Sequence, residues 1–446
     1  MALLSLYPRE HGATHATLAL VEVLDGAPTP TLADDSGAAI PVNWQQSLSS
    51  GTTRVRIGIA AATNLAPDRE HAFTARARGR SLARSVVRTL PAALGDTGSP
   101  LRIVLASCYS RLRPESRRAR DAFADLRRTY GVPHLKIWCG DQVYLDSPWH
   151  EYVLRWPHRR EDIADRHLQH YLNTWSGEHL GDPLACGANY FVPDDHEYWN
   201  NAPFPNALVP ELFDGGRRDH WWVRARELLD AFQPVQAAPL SIPPVSILLL
   251  DTRSSRSRDR ESLVTAQDLQ RLRDWVRSLT GPGLLVLGQP LFDGSGRKWW
   301  LPGALEDYGY ADFRQYGRVL DTLAETRHDL AILTGDVHFS RVSWLTLPSE
   351  RRIAEIVCSP LALVEGLNAA KWQEAPSRLA VGSSGPWAVA RPRTVPGFRS
   401  NENSAMAISI SRYGFGARIR VELWETSRSP GAAGPPAALT YELLLN

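Results

Sequence analysis

The sequence predicts an α/β protein in which a small antiparallel β-sandwich domain precedes a larger, mainly parallel α/β core. Three observations carry that prediction. Between residues 13 and 80, segments such as 16–23 and 53–59 alternate in polarity, are separated by turn-rich stretches and show no helical period. A stretch rich in Gly, Asp and Ser follows Pro91 and runs to Pro100, and beyond it short apolar runs are separated by helical segments. With 446 residues, 43% of them hydrophobic, the chain exceeds the size at which a single core stops growing. The expected division is an N-terminal β-domain over residues 1–95 and a catalytic domain over 96–446.

In the second part, residues 101–106, 135–138, 190–192, 246–250, 284–287 and 331–333 are apolar runs of strand length. Residues 117–130, 161–175, 219–232, 265–278 and 314–327 read as helices, the fourth opening with Thr265 and Asp268 at capping-box spacing. Residues 405–411 and 417–424 alternate like a hairpin, and 439–445 like a last strand. Ligands of open α/β sheets gather beyond the carboxyl ends of the strands. Each predicted core strand before the hairpin ends at a polar cluster.

Composition narrows the function. Lys+Arg 50 against Asp+Glu 48 gives a formal charge of +2, which leaves no surplus to hold nucleic acid by charge. Cys108, Cys139, Cys186 and Cys358 lie far apart without CxxC spacing, as isolated thiols do. No stretch approaches the length of a membrane span. The start MALLSLYPREHG has no basic n-region and no twin arginine, so a cytoplasmic protein is expected, with export as the alternative.

Three clusters carry chemistry. In WCGDQVYLD, Asp141 follows a buried strand and a glycine, where a carboxylate can bridge two metals, and Tyr144 stands three residues on. In VPDDHEYWNN, Asp194, Asp195, His196 and Glu197 crowd one strand-end loop, an arrangement that a metal or substrate organises. His196 between carboxylates is suited to stay protonated and to donate to a phosphate oxygen or a leaving group. In LAILTGDVHFSR, Asp336 and His338 are spaced so that both point to one side of an extended segment. Arg253 and Arg256, after another apolar run, are candidates for a guanidinium clamp on phosphate, with an ordinary salt-bridged loop as the alternative. Cys108 and Gln289, read alone, suit a buried small hydrophobe and a turn residue.

Taken together and in order, SC at Ser107–Cys108, GDQVY, DDHE, the DTR of Asp251–Arg253, GQ and TGDVHFS resemble the PhoD-type alkaline phosphatases, a branch of the calcineurin-like metallophosphoesterases. The resemblance spans residues 100 to 345 or so. It implies an α/β/β/α sandwich metallophosphoesterase core behind the small N-terminal antiparallel β-sandwich. It also implies that Cys108, Asp141, Tyr144 and His338 hold ferric iron, a Lewis acid strong enough to keep a phenolate deprotonated. Asp141 would bridge to a second site completed by Asp195, Gln289 and Asp336, an oxygen-rich set suited to calcium, with magnesium, manganese or zinc as alternatives. The implied activity is hydrolysis of small phosphate mono- or diesters by a metal-bound hydroxide, with His196 assisting the leaving group. A carboxylester or lactone hydrolase, and a non-catalytic binding protein with a relic metal site, are the rival readings. The family's Cys is commonly followed by Gln and its substrate loop carries a Trp. Here Tyr109 follows the Cys, and DYGYADFRQY at Asp307–Tyr316 has no Trp.

Overall fold

The computed structural model describes residues 3–24, 28–45, 47–50, 53–95, 99–154, 160–293, 308–363, 373–380, 385–426 and 439–446. Alternation along the strands sorts their side chains between two layers. In Leu101–Ala106, Ile103 and Leu105 face a central core shared with Ile137, Tyr190, Ile247, Leu249, Leu333 and Ile356. Val104 and Ala106 face the other way, with Trp138 and Phe191, under the helices Ser116–Tyr130, Arg160–Thr174 and Gly215–Phe232. Likewise Leu248, Leu285 and Ile332 pack under Ala266–Ser278 and Tyr316–Ala324. The result is an α/β/β/α sandwich.

One central sheet has six strands, in the order Ala188–Val192, Leu135–Cys139, Leu101–Ala106, Ser404–Tyr413, Gly416–Glu425, Thr440–Leu445. Its first three strands are parallel. The last three are the hairpin and final strand expected from alternation, paired from Ser404↔Glu425 to Tyr413↔Gly416. The other sheet has seven strands, in the order Leu240–Ile242, Val245–Leu249, Gly283–Val286, Leu330–Thr334, Arg352–Val357, Ser340–Thr346, Arg393–Ser400. Its four middle strands are parallel and its flanks antiparallel. Both sheets are therefore mixed, which corrects the mainly parallel core. Part of the antiparallel flank is hidden in the sequence because polar residues sit at buried positions. In Ser340–Thr346, Ser340, Arg341 and Ser343 are all buried, and Arg341 is neutralised by Glu355 on the paired strand at 3.0 Å. The Thr265 hydroxyl accepts from the Asp268 amide at 3.0 Å, as the capping-box spacing predicts. The predicted helix over 314–327 is shorter, Tyr316–Ala324, behind a 3₁₀ turn at Tyr310–Asp312.

Every strand before Leu101 pairs within two antiparallel sheets of five and four strands. They begin at Leu3–His11 and end at Arg80–Arg88, wider than the alternating segments of residues 13–80. Leu3–His11 seals these sheets onto the core. The Tyr7 hydroxyl donates to the Phe232 carbonyl at 2.9 Å, and the Asn189 amide donates to the Pro8 carbonyl at 2.7 Å.

Two neutral histidines sit at this junction. The His11 ring meets the Tyr190 hydroxyl at 2.9 Å, and the His134 ring meets Asp68 at 3.0 Å. Burial holds His11 down at about 3 and His134 at about 4, the latter against the pull of Asp68. Above 6.5 these imidazoles are neutral whether folded or unfolded. Below it the unfolded chain takes up protons that the fold refuses, so stability is lost as pH falls. By pH 5 the loss is about 2 kcal/mol per histidine. Urea unfolding at pH 7 and pH 5 should show it, and His134→Asn should flatten the slope by about one proton. A His134→Asn protein with the same pH dependence as the wild type between 7 and 5 would contradict this account.

Candidate metal centre

The strand ends bring the three clusters together, and glycines permit the approach. A Cβ added at Gly140 would collide with the Cβ of Asp194, and one at Gly335 with the side chain of Ser107. The GD pairs of both motifs thus have a steric cause. Cys108, Asp141, Asp336 and His338 all adopt left-handed backbone, at φ 55°, 61°, 70° and 56°. Such conformations cost about 1–3 kcal/mol each in non-glycine residues and persist where the surroundings over-determine them. Their coincidence on one set of strand ends marks the site.

Ligand atoms of Asp141, Asp194, Asp195 and Asp336 lie within 4.8 Å of one another, and so do those of Asp141, Asp195 and His196. The Cys108 thiol stands 3.5 Å from an Asp141 carboxylate oxygen and receives the Ser359 hydroxyl at 3.2 Å. Cys108 and Tyr144 share a small buried cluster with Leu363. The Tyr144 ring lies 4.0 Å from that of His196, centroid to centroid. Its hydroxyl is buried without a hydrogen-bond partner among the described residues, as is one oxygen of Asp195. The His338 amide donates to the Ser359 hydroxyl at 3.1 Å. Among the described residues, neither Cys108 nor His338 joins the tight carboxylate groups.

Glu197, which the sequence placed in the DDHE cluster without a separate role, and Asp146, which it passed over, hold the loops in place. Glu197 is fully buried, and its carboxylate accepts the backbone amides of Asp141 (2.9 Å), Gln142 (2.6 Å), Val143 (3.3 Å) and Asp194 (3.0 Å). It ties the GDQVY and DDHE loops to one group. Burial pushes it up to about 7, while the four amide donors pull it down. Asp146 accepts from the His196 ring at 2.8 Å and from the Asn200 amide at 2.7 Å, fixing the imidazole. Its only sequence signal is a position five residues after Asp141.

Arg253 and Arg256 are both buried, and their donors are directed at protein atoms. Arg253 bonds Asp194 at 2.7 Å and the Ala202 carbonyl at 2.9 Å. Arg256 reaches the Thr252 carbonyl at 2.8 Å and the Gln289 oxygen at 2.5 Å. The Gln289 amide nitrogen donates to Asp336 at 3.0 Å, so its oxygen is turned to Arg256 and away from the carboxylates. Trp175, Trp199 and Trp221 are fully buried in core packing, and Trp299 and Trp300 lie outside the described residues.

The electrostatics describe a negative site. Burial, then Asp195, raises the Asp141 carboxyl well above the usual range. Burial, then Asp141 and Asp336, does the same to the Cys108 thiol. Tyr144 is raised well above its ordinary value by burial and by Cys108 and Asp141. Burial alone would lower His196, but Asp146, Asp195 and Asp141 raise it well above the ordinary imidazole value. Among the described residues, Asp194 is the one carboxylate that Arg253 pairs with directly. Crowded carboxylates with unused oxygens, a thiol and a partnerless phenol make a donor set that cations fit.

No family model matches the sequence, and no curated protein matches it. Among solved structures, one described as "Structure of PhoD" superimposes with a TM-score of 0.59 at 17% identity, covering 98% of this chain and 90% of that chain. An amylomaltase from Corynebacterium glutamicum, at TM-score 0.16 and 11% identity over 74% of this chain and 62% of its own, carries no structural argument. At 17% identity the first likeness is one of architecture: this chain has a PhoD-like fold, an α/β/β/α sandwich joined to a β-rich N-terminal region.

Proposed function

We propose that the protein is a metal-dependent phosphoesterase acting on small phosphate monoesters, diesters or both, from a catalytic domain over residues 96–446 that follows a β-domain over 1–95. The observation that carries this reading is the convergence of Asp141, Asp194, Asp195 and Asp336 within 4.8 Å at the strand ends of a PhoD-like fold. Cys108, Asp141, Tyr144 and His338 would hold ferric iron. Asp141, Asp195, Gln289 and Asp336 would hold calcium, or magnesium, manganese or zinc. Such a pair of cations, when bound, neutralises phosphoryl oxygens and makes water a competent nucleophile at neutral pH.

The chain's own groups do the rest. Asp146 holds one ring nitrogen of His196 at 2.8 Å, which leaves the other to give its proton to the leaving-group oxygen. Glu197 holds the Asp141 and Asp194 amides in place through one carboxylate oxygen and those of Gln142 and Val143 through the other. Burial raises the Asp194 carboxyl, and Arg253 pulls it down against that rise. Arg256 holds Gln289 by its side-chain oxygen, beside Asp336. In this reading the two arginines position ligands instead of clamping phosphate.

The test is hydrolysis of p-nitrophenyl phosphate, its bis ester and p-nitrophenyl acetate by protein reconstituted with iron and calcium. Turnover of either phosphate ester, with the acetate far slower, is expected. Turnover of the acetate alone would transfer the assignment to carboxylesters, and inertness towards all three would overturn it. Tyr144→Phe should abolish the visible band of a ferric phenolate.

A further inference from the structure

A cavity of about 820 Å³ lies under the helix Ser116–Tyr130, against Arg102–Val104 and Lys136. These residues stand near the starts of the strands Leu101–Ala106 and Leu135–Cys139, whereas Cys108 and Asp141 follow their ends. The strands therefore separate the cavity from the candidate metal centre. Its volume is in the range of small-molecule sites.

Its charge is unbalanced. Lys136 is 1% exposed, and among the described residues its ammonium has a single acceptor, the Pro183 carbonyl, with the Trp138 ring at 6.0 Å. An ammonium carries three donors. Arg102, also on the wall, has no hydrogen-bond acceptor for its guanidinium among the described residues, and the same holds for Arg84 and Arg127 at the rim. Arg120 and Arg128 are engaged with Asp121 and Asp125. Of the lining residues only Asp121 and Asp182 are acidic. Val104, Phe123 and Leu126 supply apolar wall between the cations.

A buried ammonium without an anion is costly, and an interior strand position would accept an apolar residue more cheaply. We propose that this cavity binds an organic anion, its acidic head group seated on Lys136 and Arg102 and its apolar body against Val104, Phe123 and Leu126. Burial draws the Lys136 ammonium down to about 7, and an anion beside it restores the charge.

The test is calorimetric titration of the full chain at pH 6.5 with four probes that share one ten-carbon body: decanoate, decanesulfonate, decanol and decyltrimethylammonium. One-to-one binding of either anion, at least tenfold tighter than the alcohol or the cation, is expected. Lys136→Met should weaken the anion at least tenfold without lowering the melting temperature, and Arg102→Met several-fold. Phosphoesterase turnover should be unchanged in both variants, which separates this site from the metal centre. If Lys136→Met does not fold, Arg102→Met combined with Arg127→Met carries the same test. Equal affinity for anions and decanol, or anion affinity that survives these substitutions, would overturn the proposal.

Discussion

Asp141→Asn is expected to lower kcat on phosphate esters by on the order of 10³, about 4 kcal/mol of transition-state stabilisation. Asp141, with Asp195, belongs to both ligand groups, and it has Cys108 at 3.5 Å on one side and the His196 amide at 3.2 Å on the other. The same substitution separates the metal account from a purely structural one. Without metal, the folded carboxyl is raised by burial and by Asp195, so the fold binds a proton that the unfolded chain releases, and stability falls as pH rises. Removing the charge should then stabilise the metal-free protein at pH 8 by about 1–2 kcal/mol. In the metal-loaded protein the sign reverses, because a ligand is lost. Thermal melts of both proteins with and without chelator read the difference. Equal melting shifts in the two states would reduce Asp141 to a loop residue.

Glu197→Ala should be the most destabilising single change at the site. Four amides, at 2.6 to 3.3 Å, lose their only named acceptor in a fully buried place. Hydrogen bonds to a charged group contribute about 1.5–3 kcal/mol each, so a loss above about 4 kcal/mol is expected even with partial relaxation. Glu197→Gln keeps one carbonyl oxygen and should lose roughly half as much. Because Glu197 sets the backbone of both candidate metal-binding loops, the Gln variant should lose metal affinity and recover part of its kcat at high metal concentration. A Glu197→Gln protein of wild-type stability and metal affinity would remove Glu197 from the account.

Most of the architecture was legible because period and burial agree. The parallel strands read as apolar runs because both of their faces are covered, by the opposing sheet and by helices. The hairpin at Ser404–Tyr413 and Gly416–Glu425 announced itself by alternation. Ser340–Thr346 did not, because Arg341 at a buried position is paid for by Glu355 on another strand, a partnership that no local window contains. The site divides the same way. GDQVY, DDHE and GDVH are contiguous, and the steric need for Gly140 and Gly335 leaves a mark in the sequence. The pairings of Asp146 with His196 and of Arg253 with Asp194 span 50 and 59 residues and exist only after folding. For the same reason a pair of arginines that reads as a phosphate clamp proves to be directed at protein acceptors.

The central claim is that these strand ends hold two cations that act together on a phosphate ester. Its most direct test is metal content per chain by elemental analysis, measured on the same sample as turnover of p-nitrophenyl phosphate and its bis ester, before and after chelation. Two metals per chain, with turnover lost on chelation and regained on reloading, is the predicted result. A metal-free sample that turns over either ester at full rate, or a fully loaded sample inert towards both, would contradict it.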